Sequence, residues 1–269
     1  MKKISVFALL TVLFVTSVSA QEYKRVFYRD QVIDNNDLKI AVTDAVSTPS
    51  GVKFKIRIYN KTNDYIVYKP SESIFKIGGK SFNPEEKWLI IRPNDDDSKV
   101  VDLKGPNYMF PENFNFVMEG IYKFSVETKG VGAPDFILPP ARNDFKAGGF
   151  DVTLAKNKKT TARTDAAFKI KYSGDKIGVF EPNKVTMKMA DGKEYANYHS
   201  GKKPLIFGKG EENDIAVAWK DIPNTSGDMQ KDEMTILWKD AFKEITPDKM
   251  LPLTLSVIFD EETTKAKNK

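Results

Sequence analysis

The sequence predicts an all-β protein made of two β-sandwich domains in tandem. Three observations carry this. Apolar and polar residues alternate with period two along many short segments, turn-forming residues separate those segments, and the second half of the chain echoes the first. Helical periodicity is scarce. The candidates are 228–233, which lacks an apolar stripe, and one turn within 239–245.

The chain of 269 residues opens on Lys2 and Lys3, followed by an almost wholly apolar run from Ile4 to Val15 and the small residues Val18, Ser19 and Ala20. This is the pattern of a secretory signal peptide over residues 1–20, with a mature chain from Gln21. The apolar run is shorter than the roughly 20 residues a membrane-spanning helix needs. With no cysteine anywhere in the chain, lipid anchoring through a cysteine is chemically excluded. The expectation is an exported protein, periplasmic or associated with the cell surface of a Gram-negative envelope, with no transmembrane segment in the mature chain.

The strands follow in order. LKIAV at 38–42 alternates, and so does VKFKIRI at 52–58, where Val, Phe, Ile and Ile share one face and Lys, Lys and Arg the other. Such a segment suits an antiparallel strand with one face in a core and one in water. The same reading applies to FKIKY at 168–172, VTMKM at 185–189, IAVAW at 215–219 and LTLSV at 253–257. Between them lie turn signals: NKTND at 60–64, Gly78-Gly79, Ser173-Gly174-Asp175 and Asp191-Gly192.

Four segments recur in the same order. VKFKIRIYN (52–60) matches AAFKIKYSG (166–174), and SIFKIGGKSFN (73–83) matches TMKMADGKEYAN (186–197). IIRPNDDDSKVVDLKG (90–105) matches IFGKGEENDIAVAWKD (206–221), and FNFVMEGIYKF (114–124) matches MTILWKDAFKE (234–244). The spacing stays nearly constant, at about 113–120 residues. Two copies indicate a tandem duplication rather than a solenoid, which needs at least three repeats. The connection, 128–149, is rich in Gly and Pro, which places a first domain at 21–132 and a second at 133–269. Phe136-Ile137-Leu138 is expected to open the second domain as a strand, parallel in role to Val26-Phe27-Tyr28 in the first. Residues 261–269 are polar and expected to fray.

The repeat unit is an alternating strand ending in Asn, a segment such as FKIGGKSFN or MKMADGKEYAN, then a polar loop before another strand. It resembles the telokin-like, immunoglobulin-like domains of secreted bacterial proteins, a group of uncharacterised function. The residues that carry the resemblance lie at 54–60, 75–83 and 94–103; the second copy departs at Tyr172-Ser173-Gly174, where the Asn is missing. The resemblance implies two tandem immunoglobulin-like β-sandwich domains and a non-catalytic role, and it carries no catalytic residues to transfer.

Composition narrows the chemistry. Without cysteine and with His199 as the single histidine, thiol nucleophiles, disulfide frameworks, Cys-ligated zinc and multi-His metal sites are excluded, and a Ser-His-Asp triad would depend on His199 alone. Its neighbour Ser200 does not complete such a pair, because adjacent residues on an extended chain point apart. The net charge of +5 falls to 40 basic against 37 acidic side chains once Lys2 and Lys3 are set aside. Both signs are interspersed, so no nucleic-acid partner is expected.

Two clusters remain as candidate sites. Asn94, Asp95, Asp96 and Asp97 occupy the same place in the first repeat as Glu211, Glu212, Asn213 and Asp214 in the second. Carboxylates and amide oxygens are hard ligands that suit calcium, although neither loop follows the EF-hand spacing; the alternative is a solvated loop that keeps a strand edge soluble. Tyr65, Tyr68, Tyr195 and Tyr198 sit near turns and are expected to offer an exposed ligand surface, while Trp88, Trp219 and Trp238 belong to the core. Glu119, Glu181 and Glu194 could serve as paired carboxylates. Gly208-Lys209-Gly210 leads into acidic residues that would repel phosphate. The expected function is a non-catalytic exported binding or scaffolding protein whose partner is a protein or an envelope glycan, without a cofactor. A polysaccharide-acting hydrolase and a calcium-stabilised adhesin-like module are the alternatives.

Overall fold

The computed structural model describes residues 23–105, 113–222 and 228–269. The expected signal peptide lies outside them. The chain is all-β, and its strands pair antiparallel throughout. Among the described residues no helix is long and apolar enough to cross a membrane.

The first half carries β1 (Val26–Phe27), β2 (Gln31–Asp34), β3 (Leu38–Thr48), β4 (Gly51–Asn60), β5 (Tyr65–Tyr68) and β6 (Ile74–Ile77). It continues with β7 (Lys80–Phe82), β8 (Leu89–Ile91), β9 (Asp96–Lys104), β10 (Phe114–Met118) and β11 (Ile121–Phe124). The second half carries β12 (Phe136–Leu138), β13 (Asp144–Ala147), β14 (Phe150–Lys159), β15 (Arg163–Tyr172), β16 (Ile177–Phe180) and β17 (Thr186–Met189). After these come β18 (Glu194–Ala196), β19 (Leu205–Phe207), β20 (Glu212–Lys220), β21 (Met234–Leu237) and β22 (Phe242–Ile245). Last are β23 (Asp248–Lys249), β24 (Leu253–Val257) and one short helix, α1 (Glu261–Lys267).

One sheet of the first half runs β1-β3-β4-β9, with β2 also on β3. Along β4, Val52, Phe54, Ile56 and Ile58 are buried while Lys53, Lys55, Arg57 and Tyr59 face solvent, as the alternation predicts. The opposing layer is split into two sheets, β24-β10-β6-β7 and β23-β11-β5-β8. The split has local causes. A 3-10 turn at Pro70–Glu72 interrupts the chain between β5 and β6. Gly120 takes φ +73 between β10 and β11, where an added Cβ would sit 2.5 Å from the Lys69 carbonyl oxygen. Phe54, Phe75 and Phe116 fill the core with ring centroids 4.8–5.5 Å apart.

From β13 to β22 the second half repeats the order of β2 to β11. The sheet β13-β14-β15-β20 faces β12-β21-β17-β18 and β19-β16-β22, and Phe136, Phe150, Phe168, Phe180, Trp238 and Phe242 supply its core. Each half bends its first long hairpin at the same place, with a register shift at Thr43/Val46 in one and Leu154/Lys156 in the other.

β5 and β16 are buried at all four residues. In β5, Ile66 and Tyr68 belong to the first core, while Tyr65 and Val67 join Phe124, Ile177, Val179, Ile206 and Ile245 in a separate apolar cluster between the halves. The second half also holds a buried ion pair, Lys243 with Glu181; the Lys243 ammonium donates as well to the carbonyl of Val126, just after β11, at 2.5 Å.

Several expectations need correction. LTLSV at 253–257 is a strand, but it does not serve the second half to which 133–269 was assigned. β24 pairs with β10 over five residues, Phe114 opposite Val257 through Met118 opposite Leu253, and β23 pairs with β11. β24 holds the position beside β10 that β12 holds beside β21. Val26–Phe27 therefore does not play the part of Phe136–Leu138. It pairs instead with Val46 and Ser47 at the far end of β3. Residues 261–267 do not fray but form α1, because Asp260 caps it by accepting from the Thr263 N–H at 2.9 Å. The Thr264 hydroxyl accepts from the Phe27 N–H, and Asn268 accepts from the N–H groups of Lys24 and Arg25. Residues 228–233 form turns rather than a helix, and 239–245 holds a turn followed by β22.

Candidate functional site

The two acidic clusters stand where β9 and β20 begin, each the outermost strand of its sheet. They are not free loops, since Asp96–Asp97 and Glu212–Asp214 already belong to the strands. Their groups are engaged one at a time. Arg57 holds Asp96 with two hydrogen bonds, the longer at 3.0 Å, and keeps its carboxyl below the ordinary value. Lys169 does the same for Glu212 at 2.8 Å. Asp95 and Asp97 accept from the N–H groups of Asp96 and Ser98. The Asn94 amide donates to Asn63, and Glu211 accepts from the Gly208 N–H. Asn213 and Asp214 lie opposite Ile170 and Lys169. Among the described residues no group of three or more His, Asp or Glu is placed to hold a metal ion. The geometry is that of charged strand edges.

The tyrosines part company. Tyr65 and Tyr68 are buried, so they offer no exposed surface; both lie on a strand covered on its two faces. The Tyr68 hydroxyl shares a hydrogen bond with Ser73 at 3.0 Å, and burial pushes its ionisation up. Tyr195 is half-buried and packs against the second core. Tyr198 is exposed, with the Lys220 ammonium 4.5 Å from its ring centre and the His199 ring 5.5 Å away. Burial, then Lys202 and Arg163, hold the His199 imidazole below its ordinary value, against the pull of Asp165.

The three glutamates considered as a catalytic pair are tied to cations: Glu119 to Lys249 at 3.2 Å, Glu181 to Lys243, and Glu194 to Lys239. Lys209 is bound to Asp175 at 2.6 Å.

The feature that sequence reasoning missed is a cleft. It lies between β12 and β13, the edge strands of the two opposed sheets of the second half, and has a volume of about 560 Å³. Phe136, Ile137, Pro140 and Phe145 form apolar walls, with Arg142 and Lys146 among its polar lining. Ile137 is half exposed. The first half is bridged at the corresponding place. There, Tyr28 bridges to Phe259, the Arg29 N–H donates to the Ile258 carbonyl, and the Asp260 N–H donates to Phe27. The only hint in the sequence is the run of prolines, Pro134, Pro139 and Pro140, around an exposed isoleucine.

No protein-family model matches the chain, and no curated protein matches it. Among solved structures, the chain is similar to the YadV chaperone at 11% identity, over 76% of this chain and 92% of that one, with a TM-score of 0.19. A likeness at that level carries no argument about fold or function.

Proposed function

We propose that the protein is a non-catalytic, exported binding or scaffolding component of a Gram-negative cell envelope, built from two duplicated immunoglobulin-like domains. The observation that supports this most is the joining of the two halves into one body. An apolar cluster, the hydrogen bond from the Lys243 ammonium to the Val126 carbonyl and the returning β24 all cross between them. Such a body holds sheet edges and loops at fixed spacing, which suits recognition by strand addition and surface contact. The matching order of elements, and the bend at the same point of each first hairpin, support the duplication.

Two measurements test the reading. Fractionation of cells producing the full chain, with N-terminal sequencing, should find a mature protein that begins at Gln21 outside the cytoplasm; a cytoplasmic chain still carrying residues 1–20 would contradict export. Immobilised mature protein should retain a defined protein or glycan from envelope extract, and failure to enrich either contradicts the binding role.

A further inference from the structure

The two halves differ at one side, and the difference defines a vacancy with its own chemistry. In the first half the outer edge of β3 beyond its bulge is covered. Val26 and Phe27 pair with Ser47 and Val46, and the Tyr28 N–H donates to the Ala45 carbonyl at 3.0 Å. The covering segment buries Val26 and Tyr28; the Tyr28 ring meets Phe114 edge-on at 5.0 Å, and its hydroxyl shares a hydrogen bond with Ser47. In the second half β14 pairs with β13 only as far as Thr153. Among the described residues no strand covers the edge from 155 to 159. The apolar cleft lies beside this edge, since residues 140–142 line it and the next carbonyl, Asn143, accepts from the Leu154 N–H.

Charge states what would fit. The covered edge of the first half, 43–47, carries Asp44, and its cover, 24–29, is basic: Lys24, Arg25 and Arg29 around Val26-Phe27-Tyr28. The uncovered edge of the second half carries Lys156 and Lys158; Lys159, at its end, is already engaged, its ammonium donating to the Asp232 carbonyl at 2.6 Å. Arg142 and Lys146 stand at the cleft itself, leaning on Asp144 and Asp151, and Asp135 lines its other side. The polarity of the covered edge is reversed here.

We propose that this edge and cleft receive an extended segment of a partner protein, apolar at its centre and acidic at its flanks. The segment adds to the edge at 155–159 through main-chain hydrogen bonds and lays an apolar side chain into the cleft that Ile137, Pro140 and Phe145 line. This rests on the binding role proposed above and names its site and partner class.

The probe is a fluorescein-labelled hexapeptide, Glu-Glu-Val-Phe-Tyr-Glu, a charge-reversed copy of residues 24–29. It is titrated with the mature protein and read by fluorescence anisotropy, with the native sequence Lys-Arg-Val-Phe-Tyr-Arg as control. The acidic peptide is expected to bind, the basic one at least about tenfold more weakly. Ile137→Glu, at a half-exposed position, should weaken binding about tenfold or more without lowering the melting temperature. The double substitution Lys156→Glu/Lys158→Glu should weaken it and flatten its salt dependence. No rise in anisotropy with the acidic peptide, or equal affinity in both variants, overturns the proposal. Envelope capture repeated with Ile137→Glu separates the two ideas. Undiminished capture overturns this site and leaves the binding role standing, whereas absence of capture by the unmodified protein removes the role itself.

Discussion

Lys243 and Glu181 are both almost fully buried, and each is the other's counter-charge. Removing one member of such a pair strands a charge away from water, at a cost of about 3–5 kcal/mol. Lys243→Met should therefore lower stability by that order, measured as a drop in the urea midpoint. The double variant Lys243→Met/Glu181→Leu should recover most of the loss, because two apolar side chains of similar size leave no unpaired charge. Tyrosines offer a second handle. Burial raises the Tyr28 hydroxyl to about 12, opposed by its hydrogen bond to Ser47. A raised value means the folded state keeps its proton where the unfolded chain has lost it. This contribution, about 2–3 kcal/mol, is complete below pH 10 and is lost as pH rises from 10 towards 12. Denaturation midpoints over pH 9–12 should fall in that window, alongside tyrosinate absorbance, and Tyr28→Phe should blunt the fall.

At the scale of the element, period-two alternation marked the strands because burial of one sheet face is written in local order. Val52 to Ile58 and Phe168 to Tyr172 fall where the pattern places them. Two kinds of feature escaped it. YIVY at 65–68 shows no alternation because both of its faces are covered, so its tyrosines read as turn-side residues although they lie in the interior. Alternation also names a face but not a neighbour, so LTLSV was legible as a strand while its distant partner, β10, was not. The cleft was illegible for the same reason, since it lies between two edge strands, β12 and β13, whose meeting no local pattern records. The helix at Glu261–Lys267 had only a cap and one inward threonine to betray it. That cap can be tested. Asp260→Ala removes the acceptor for the Thr263 N–H and should cost about 1 kcal/mol. Hydrogen exchange should quicken both in the helix and at Phe27, whose N–H is held by Thr264.

For the whole molecule, the decisive feature is the return of the chain. After completing the second half, residues 248–269 cross back. Leu255 and Val257 enter the first core, and α1 closes against the N-terminal strand. The first half is thus finished by residues 248–269, while the second half opens with its own β12 and, among the described residues, keeps an uncovered side. The proposed docking edge follows from that asymmetry. Because the protein has no cysteine, the return can be probed by adding two. Asn115 and Ser256 face each other across the β10–β24 pair and share a 3.2 Å hydrogen bond. Directly opposed antiparallel residues lie about 4.5–5.5 Å apart at Cα, within the range a disulfide spans. Asn115→Cys/Ser256→Cys should oxidise to one disulfide inside a single chain, seen by mass spectrometry of the non-reduced digest and by monomeric migration on a non-reducing gel. Two free thiols after oxidation, or a disulfide found only between two chains, would contradict the return of the C-terminal strand to the first half.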